Sequence, residues 1–150
     1  MLSVTVSTDI CASGDAIWEI VGDFGNLARW LPAITSMRCT GSAPGSERSF
    51  TVGGQLIRER LLRRDERTRS LTYRLLDGPL PVDRYESTLT VESIDTAVSN
   101  ITWFTTCDAV GIDPERCKRL LQRVYFDALD QLAVALTQPR NAPESRSGAV

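Results

Sequence analysis

The segment Ile57-Arg58-Glu59-Arg60-Leu61 runs apolar, charged, charged, charged, apolar. A strand turns alternate residues to opposite faces. If Ile57 and Leu61 face a core, Glu59 faces it with them, and Arg58 and Arg60 face water. A carboxylate among apolar groups is costly unless it is hydrogen-bonded, protonated or used. The chain contains no histidine, so acid–base chemistry would fall to carboxylates, tyrosines or water.

Strand signals extend on both sides of this segment. Gln55 to Arg64 is preceded by the candidates Ile34 to Thr40 and Glu47 to Val52, and is followed by Ser70 to Leu76, Asp83 to Ser93 and Asn100 to Cys107. Gly41-Ser42-Ala43-Pro44-Gly45, Gly53-Gly54, Asp65-Glu66-Arg67 and Asp77-Gly78-Pro79-Leu80-Pro81 break the chain between them. Leu2 to Thr8 alternates as a first strand. Ser13 suits an N-cap, with Asp15 in a first turn where the helix dipole favours it. Ile17, Trp18, Ile20 and Val21 form a short helical stripe. Asp23 could cap a second short helix reaching Trp30, which Pro32 ends. Asp113 or Pro114 opens the longest helix, with Cys117, Leu120, Leu121, Val124, Tyr125, Ala128, Leu129, Leu132, Ala133 and Leu136 at three- and four-residue spacing. Residues 138–150 read as a disordered tail after a single domain over 1–137.

The expected architecture is α+β: a curved antiparallel sheet of about seven strands around a long C-terminal helix, with two short helices after the first strand. A sheet curved around a helix leaves space for a ligand. The net charge of −2 gives no reason to expect nucleic acid. Cys11, Cys39, Cys107 and Cys117 form no C-x-x-C pair, and with no histidine a metal site is not expected; no G-x-x-x-x-G-K or G-x-G-x-x-G pattern occurs, and no cofactor is expected. No apolar run approaches the length of a membrane span and no leader pattern opens the chain, so a cytoplasmic protein without membrane insertion is expected. Monomer and homodimer both stay open.

This order of elements resembles the START/Bet v 1-like (SRPBCC) superfamily of polyketide cyclase/dehydrase and lipid-transport proteins. The resemblance rests on Trp18, Asp23-Phe24-Gly25-Asn26-Leu27, Trp30-Leu31-Pro32, Gly45 before Arg48, Glu59-Arg60-Leu61, Gly78-Pro79-Leu80-Pro81, Tyr85 and Trp103. It is nearest to the bacterial branch similar to plant abscisic-acid receptors, and it implies the helix-grip fold. In those receptors two loops close over the ligand. The matching gating loops hold Gly53 and Gly54, and Pro79, Leu80 and Pro81. The receptors hold a ligand carboxylate with a lysine that follows an aromatic residue. The matching position is Leu31, after Trp30, so a plant-hormone ligand is not implied.

Glu59 and Tyr85 are the candidate catalytic pair. Arg38 and Arg48 are possible partners of Glu59; an inward arginine would make it a structural ion pair instead, and a place at the sheet's rim would leave it in water. Strand parity places Ile34, Ser36 and Arg38, then Tyr73, Ser87, Trp103 and Thr105, toward the ligand space. Leu120, Val124, Tyr125 and Ala128 would supply the helix's share, with plain core packing as the alternative. Phosphate-binding glycine loops, nucleophile elbows and histidine triads are absent from the sequence. The resemblance implies a small hydrophobic molecule as partner and a cofactor-independent cyclase- or dehydratase-like (lyase or isomerase) activity in secondary metabolism. The alternative is a non-catalytic lipid or metabolite carrier.

Overall fold

The computed structural model describes residues 1–137, so the expected tail at 138–150 lies outside the described residues. Seven strands form one antiparallel sheet: β1 (Leu2–Ile10), β2 (Thr35–Cys39), β3 (Glu47–Val52), β4 (Gln55–Asp65), β5 (Ser70–Asp77), β6 (Val82–Ser93) and β7 (Ser99–Ala109). Their order across the sheet is β1-β7-β6-β5-β4-β3-β2. Every link from β2 to β7 therefore joins sheet neighbours, and the connection between β1 and β2 carries the chain from one edge to the other.

That connection contains α1 (Gly14–Val21), whose N-terminus is capped as its sequence suggests: the Ala16 amide donates to Ser13 Oγ at 3.1 Å. The second helix expected there is one 3-10 turn, Leu27–Arg29. Its N-cap is Asn26, not Asp23, and no side chain caps it, so nothing extends it before Pro32.

The C-terminal helix α2 (Pro114–Thr137) buries Cys117, Leu121, Tyr125, Ala128, Leu129 and Leu132. These positions form one stripe because three- and four-residue steps return to one helix face. The helix packs against β1 and β7. Towards β3, β4 and β5 the concave side of the sheet stays partly unfilled.

Two local irregularities aim the site. The pairing of β4 with β5 shifts between Arg58 and Glu59. The pairing of β6 with β7 shifts between Asp83 and Glu86, where Arg84 adopts a left-handed φ of 50°. Such bulges bend a strand and redirect the side chains beside them. Glu59 and Tyr85 each sit at one.

Candidate functional site

A cavity of about 350 Å³ lies between the sheet and α2, at the lower end of the roughly 300–1,000 Å³ usual for small-molecule sites. Its deep wall comes from alternate residues of neighbouring strands: Arg48 and Phe50 on β3, Glu59 on β4, Tyr73 on β5, Tyr85 and Leu89 on β6, and Trp103 on β7. Tyr125 and Ala128 close it from α2. The exposed lining residues Ala33, Gln55, Pro79, Val124, Asp127 and Gln131 form its rim.

Two polar groupings interrupt the apolar wall. The first is Arg48 with Glu59, directly opposite each other across the β3–β4 ladder. Arg48 Nε and Nη2 reach Glu59 Oε1 at 2.8 and 2.7 Å, and both side chains are buried. Arg48 Nη1 also donates to the Phe24 carbonyl at 3.1 Å, and the guanidinium lies 4.2 Å from the Phe24 ring centroid and 4.9 Å from that of Tyr73. Among the described residues no hydrogen bond reaches Glu59 Oε2. Burial pushes the Glu59 carboxyl above its ordinary range, against the opposing charge and hydrogen bond of Arg48.

The second grouping is a run of hydroxyls. Trp103 Nε1 donates to Ser87 Oγ at 2.7 Å, Ser87 Oγ lies 2.6 Å from Thr105 Oγ1, and Thr105 Oγ1 lies 2.7 Å from the Tyr125 hydroxyl. The Tyr125 hydroxyl bonds to that of Tyr85. The rings of Trp103 and Tyr125 stack with centroids 4.5 Å apart, and Tyr73 packs on Tyr85 at 6.3 Å. Burial holds the phenols of Tyr73 and Tyr85 far above their ordinary value, so both stay protonated.

Of the residues expected at the site, Ile34, Tyr73, Trp103, Val124, Tyr125 and Ala128 line the cavity with Glu59 and Tyr85. Ser87 and Thr105 are buried behind the wall and support it. Ser36 and Arg38 are exposed and stand outside it. The parity that carried them inward from Ile34 fails because the β2–β3 register shifts between Thr35 and Arg38, with Ser36 at φ 54°. Arg48, not Arg38, is the partner of Glu59. Leu120 is 37% exposed and also falls outside, because it sits on the flank of the buried helical stripe.

In the loops, Pro79 and Leu80 line the rim. Pro81 does not; its carbonyl accepts from the Val110 amide at 2.9 Å and anchors the loop to the end of β7. Gly53 and Gly54 also stand off the cavity, between the lining residues Val52 and Gln55. Their positive φ values of 57° and 79° are what a two-residue hairpin turn requires, and they account for the glycine pair. Cys107 is fully buried, and burial pushes its thiol up to about 11, unsuited to a nucleophile. Among the described residues no cluster of three or more metal-ligating side chains occurs, and no helix is long and apolar enough to cross a membrane.

Phe50 and Val52 were not anticipated on the wall, whereas Leu75 and Leu89 continue the faces of Tyr73 and Tyr85, and Leu31 stands where the resemblance puts a ligand contact. Phe50 and Val52 share strand parity with Arg48, which could have identified them.

The residues matched by the family described as polyketide cyclase / dehydrase and lipid transport are 1–137. No curated protein matches. Among solved structures, a protein of Bacillus thuringiensis is 29% identical, with TM-score 0.85, covering 91% of this chain and 100% of its own. The protein XoxI of Bacillus cereus is 30% identical, with TM-score 0.83, covering 91% and 96%. Norcoclaurine synthase of Thalictrum flavum, solved with dopamine and hydroxybenzaldehyde, shares the fold at 21% identity and TM-score 0.67, covering 90% and 83%.

Proposed function

The chain belongs to the polyketide cyclase / dehydrase and lipid transport family, and we propose that its cavity binds one small hydrophobic, oxygen-bearing metabolite and catalyses its cyclisation or dehydration without a cofactor. The observation that carries this reading is that Glu59, with an oxygen left over from its ion pair, and Tyr85 line the same apolar cavity. Both stand at bulges, where strands commonly re-aim functional side chains.

In the proposed reaction the apolar wall folds a poly-carbonyl chain into a reactive conformer. Such positioning supplies up to roughly 7–11 kcal/mol in ideal cases. Glu59 accepts a proton from a carbon flanked by carbonyls, and Tyr85 holds the oxygen on which the negative charge gathers. That carbon bonds to a second carbonyl carbon. Glu59 returns its proton to the resulting alkoxide, and the hydroxyl formed is then lost as water with a proton from the neighbouring carbon. Pro79 and Leu80 at the rim, with the Gly53-Gly54 hairpin, gate entry.

A second reading is favoured by the Arg48 contact: a paired Glu59 can serve as an anchor, and the protein then carries its ligand unchanged. Incubation with the small-molecule extract of the source cells, followed by mass spectrometry, separates the two. An enzyme depletes one species and yields a product lighter by water or isomeric with it, and Glu59→Gln retains the substrate. A carrier returns the captured mass unaltered, and turnover intact in Glu59→Gln removes Glu59 from the chemistry.

A further inference from the structure

We infer that the second oxygen of Glu59 fixes the class of ligand: an uncharged molecule that presents a hydroxyl of the phenol or enol kind to Oε2. The inference rests on the cavity being a ligand site, as proposed above, and goes beyond it by naming the chemical group that meets Glu59.

Arg48 meets Glu59 on one oxygen. Its Nε and Nη2 converge on Oε1 at 2.8 and 2.7 Å, and its Nη1 donates to the Phe24 carbonyl instead. Tyr73 and Tyr85 lie close enough for the Glu59 charge to act on their phenols, yet the hydrogen bond acting on the carboxylate is that of Arg48. Among the described residues, Oε2 is thus left without a donor on a side chain only 7% exposed. A buried acceptor in that state is rare in native proteins and costly. This one belongs to a residue that lines an apolar cavity, where a ligand can supply the missing donor.

Charge decides which donor fits. The charged residues lining the cavity are Arg48, Glu59 and, at the rim, Asp127. A ligand carboxylate would meet Oε2 with like charge, and Arg48, the cation among the lining residues, is already paired. A ligand ammonium would set a second cation beside Arg48 with one carboxylate between them. Either leaves an unbalanced charge away from water. A hydroxyl adds no charge and gives the carboxylate a charge-assisted hydrogen bond. Glu59 keeps its charge at neutral pH because Arg48 cannot lose its own, and a buried guanidinium without a counter-charge is costly. A hydroxyl on a conjugated carbon is more acidic than an aliphatic one and so the better donor. The rings of Phe50, Tyr73, Tyr85 and Trp103 on the wall suit the flat body that carries it.

Calorimetric titration at neutral pH with four naphthalenes of similar outline reads the preference: 2-naphthol, 2-methoxynaphthalene, 2-acetylnaphthalene and 2-naphthoate. The unmodified protein should bind 2-naphthol about tenfold more tightly than the ether or the ketone, and 2-naphthoate most weakly. In Glu59→Gln the amide oxygen takes the Arg48 donors and the amide N–H₂ replaces Oε2, so the naphthol should lose its lead and the ketone overtake it. Should that variant fold poorly, the double variant Arg48→Met/Glu59→Leu removes both charges together and should bind the naphthol and its ether alike. A naphthol that binds the unmodified protein no more tightly than its ether, or a naphthoate that binds best, overturns the hydroxyl anchor and leaves the ligand site standing. A naphthol preference that survives in a folded variant overturns it too. Failure of all four to bind the unmodified protein overturns the ligand-site reading and the anchor with it.

Discussion

Replacing Glu59 with leucine leaves the Arg48 guanidinium, 4% exposed, without its counter-charge. Arg48 keeps its bond to the Phe24 carbonyl and its place between the Phe24 and Tyr73 rings, so it is not free to turn out to water. Breaking a buried pair from one side costs about 3–5 kcal/mol, whereas replacing both partners with apolar groups of similar volume is close to neutral or stabilising. In a chain of this size about 1 kcal/mol moves the melting midpoint by roughly 2–4 °C, so Glu59→Leu should lower it by about 6–20 °C. Arg48→Met should cost less than Glu59→Leu, because the stranded carboxyl can take up a proton and an arginine cannot lose one. The double variant should recover most of the loss. The assay is thermal and urea unfolding of all four proteins, read as a double-mutant cycle. Additive single effects, with the double variant as unstable as their sum, would refute the claim that the two charges are coupled inside the site.

The pH dependence of stability carries Glu59's signature. Burial raises its folded value above the ordinary 4.5, so over that window the folded protein holds a proton that the unfolded chain has released. Stability therefore falls as pH rises through the window. Glu59→Gln should flatten this slope in urea titrations across pH. The opposite, acid-side loss, from Glu47 bonded to Arg60 and Asp108 bonded to Arg84, should persist in both proteins. Leu121→Ala, at a fully buried position of α2, should cost about 2–5 kcal/mol in urea unfolding. Ser13→Ala removes the α1 cap and should cost about 0.5–2 kcal/mol by the same measurement.

Most of the fold was legible because β3 to β7 are antiparallel neighbours in chain order, each with clear alternation and a turn signal at its end. The second short helix was not, because a run interrupted by Gly25 and lacking a side-chain cap holds only one 3-10 turn. The site divides along the same line. Trp103 lies on regular strand parity, Tyr125 on the helical stripe, and Tyr85 on the face that Ser87 and Leu89 continue beyond the bulge, so all three could be placed from sequence. Ser36 and Arg38 could not, because the edge strand's register shifts where no glycine or proline marks it. The Arg48–Glu59 pairing was within reach: a two-residue turn at Gly53-Gly54 sets Val52 opposite Gln55 and, stepping outward, Arg48 opposite Glu59. The hydroxyl run joins β6, β7 and α2 across long sequence separations, and only packing brings it together.

The central claim is that the space between sheet and α2 holds a ligand, and Ala128→Phe tests it most directly. Ala128 lines the cavity from the helix, and a phenyl ring there occupies the space a ligand would take. Calorimetric titration with 2-acetylnaphthalene should show one saturable site in the unmodified protein and none in the variant, with circular dichroism and melting confirming that both are folded. Equal binding to a folded Ala128→Phe protein would contradict the account.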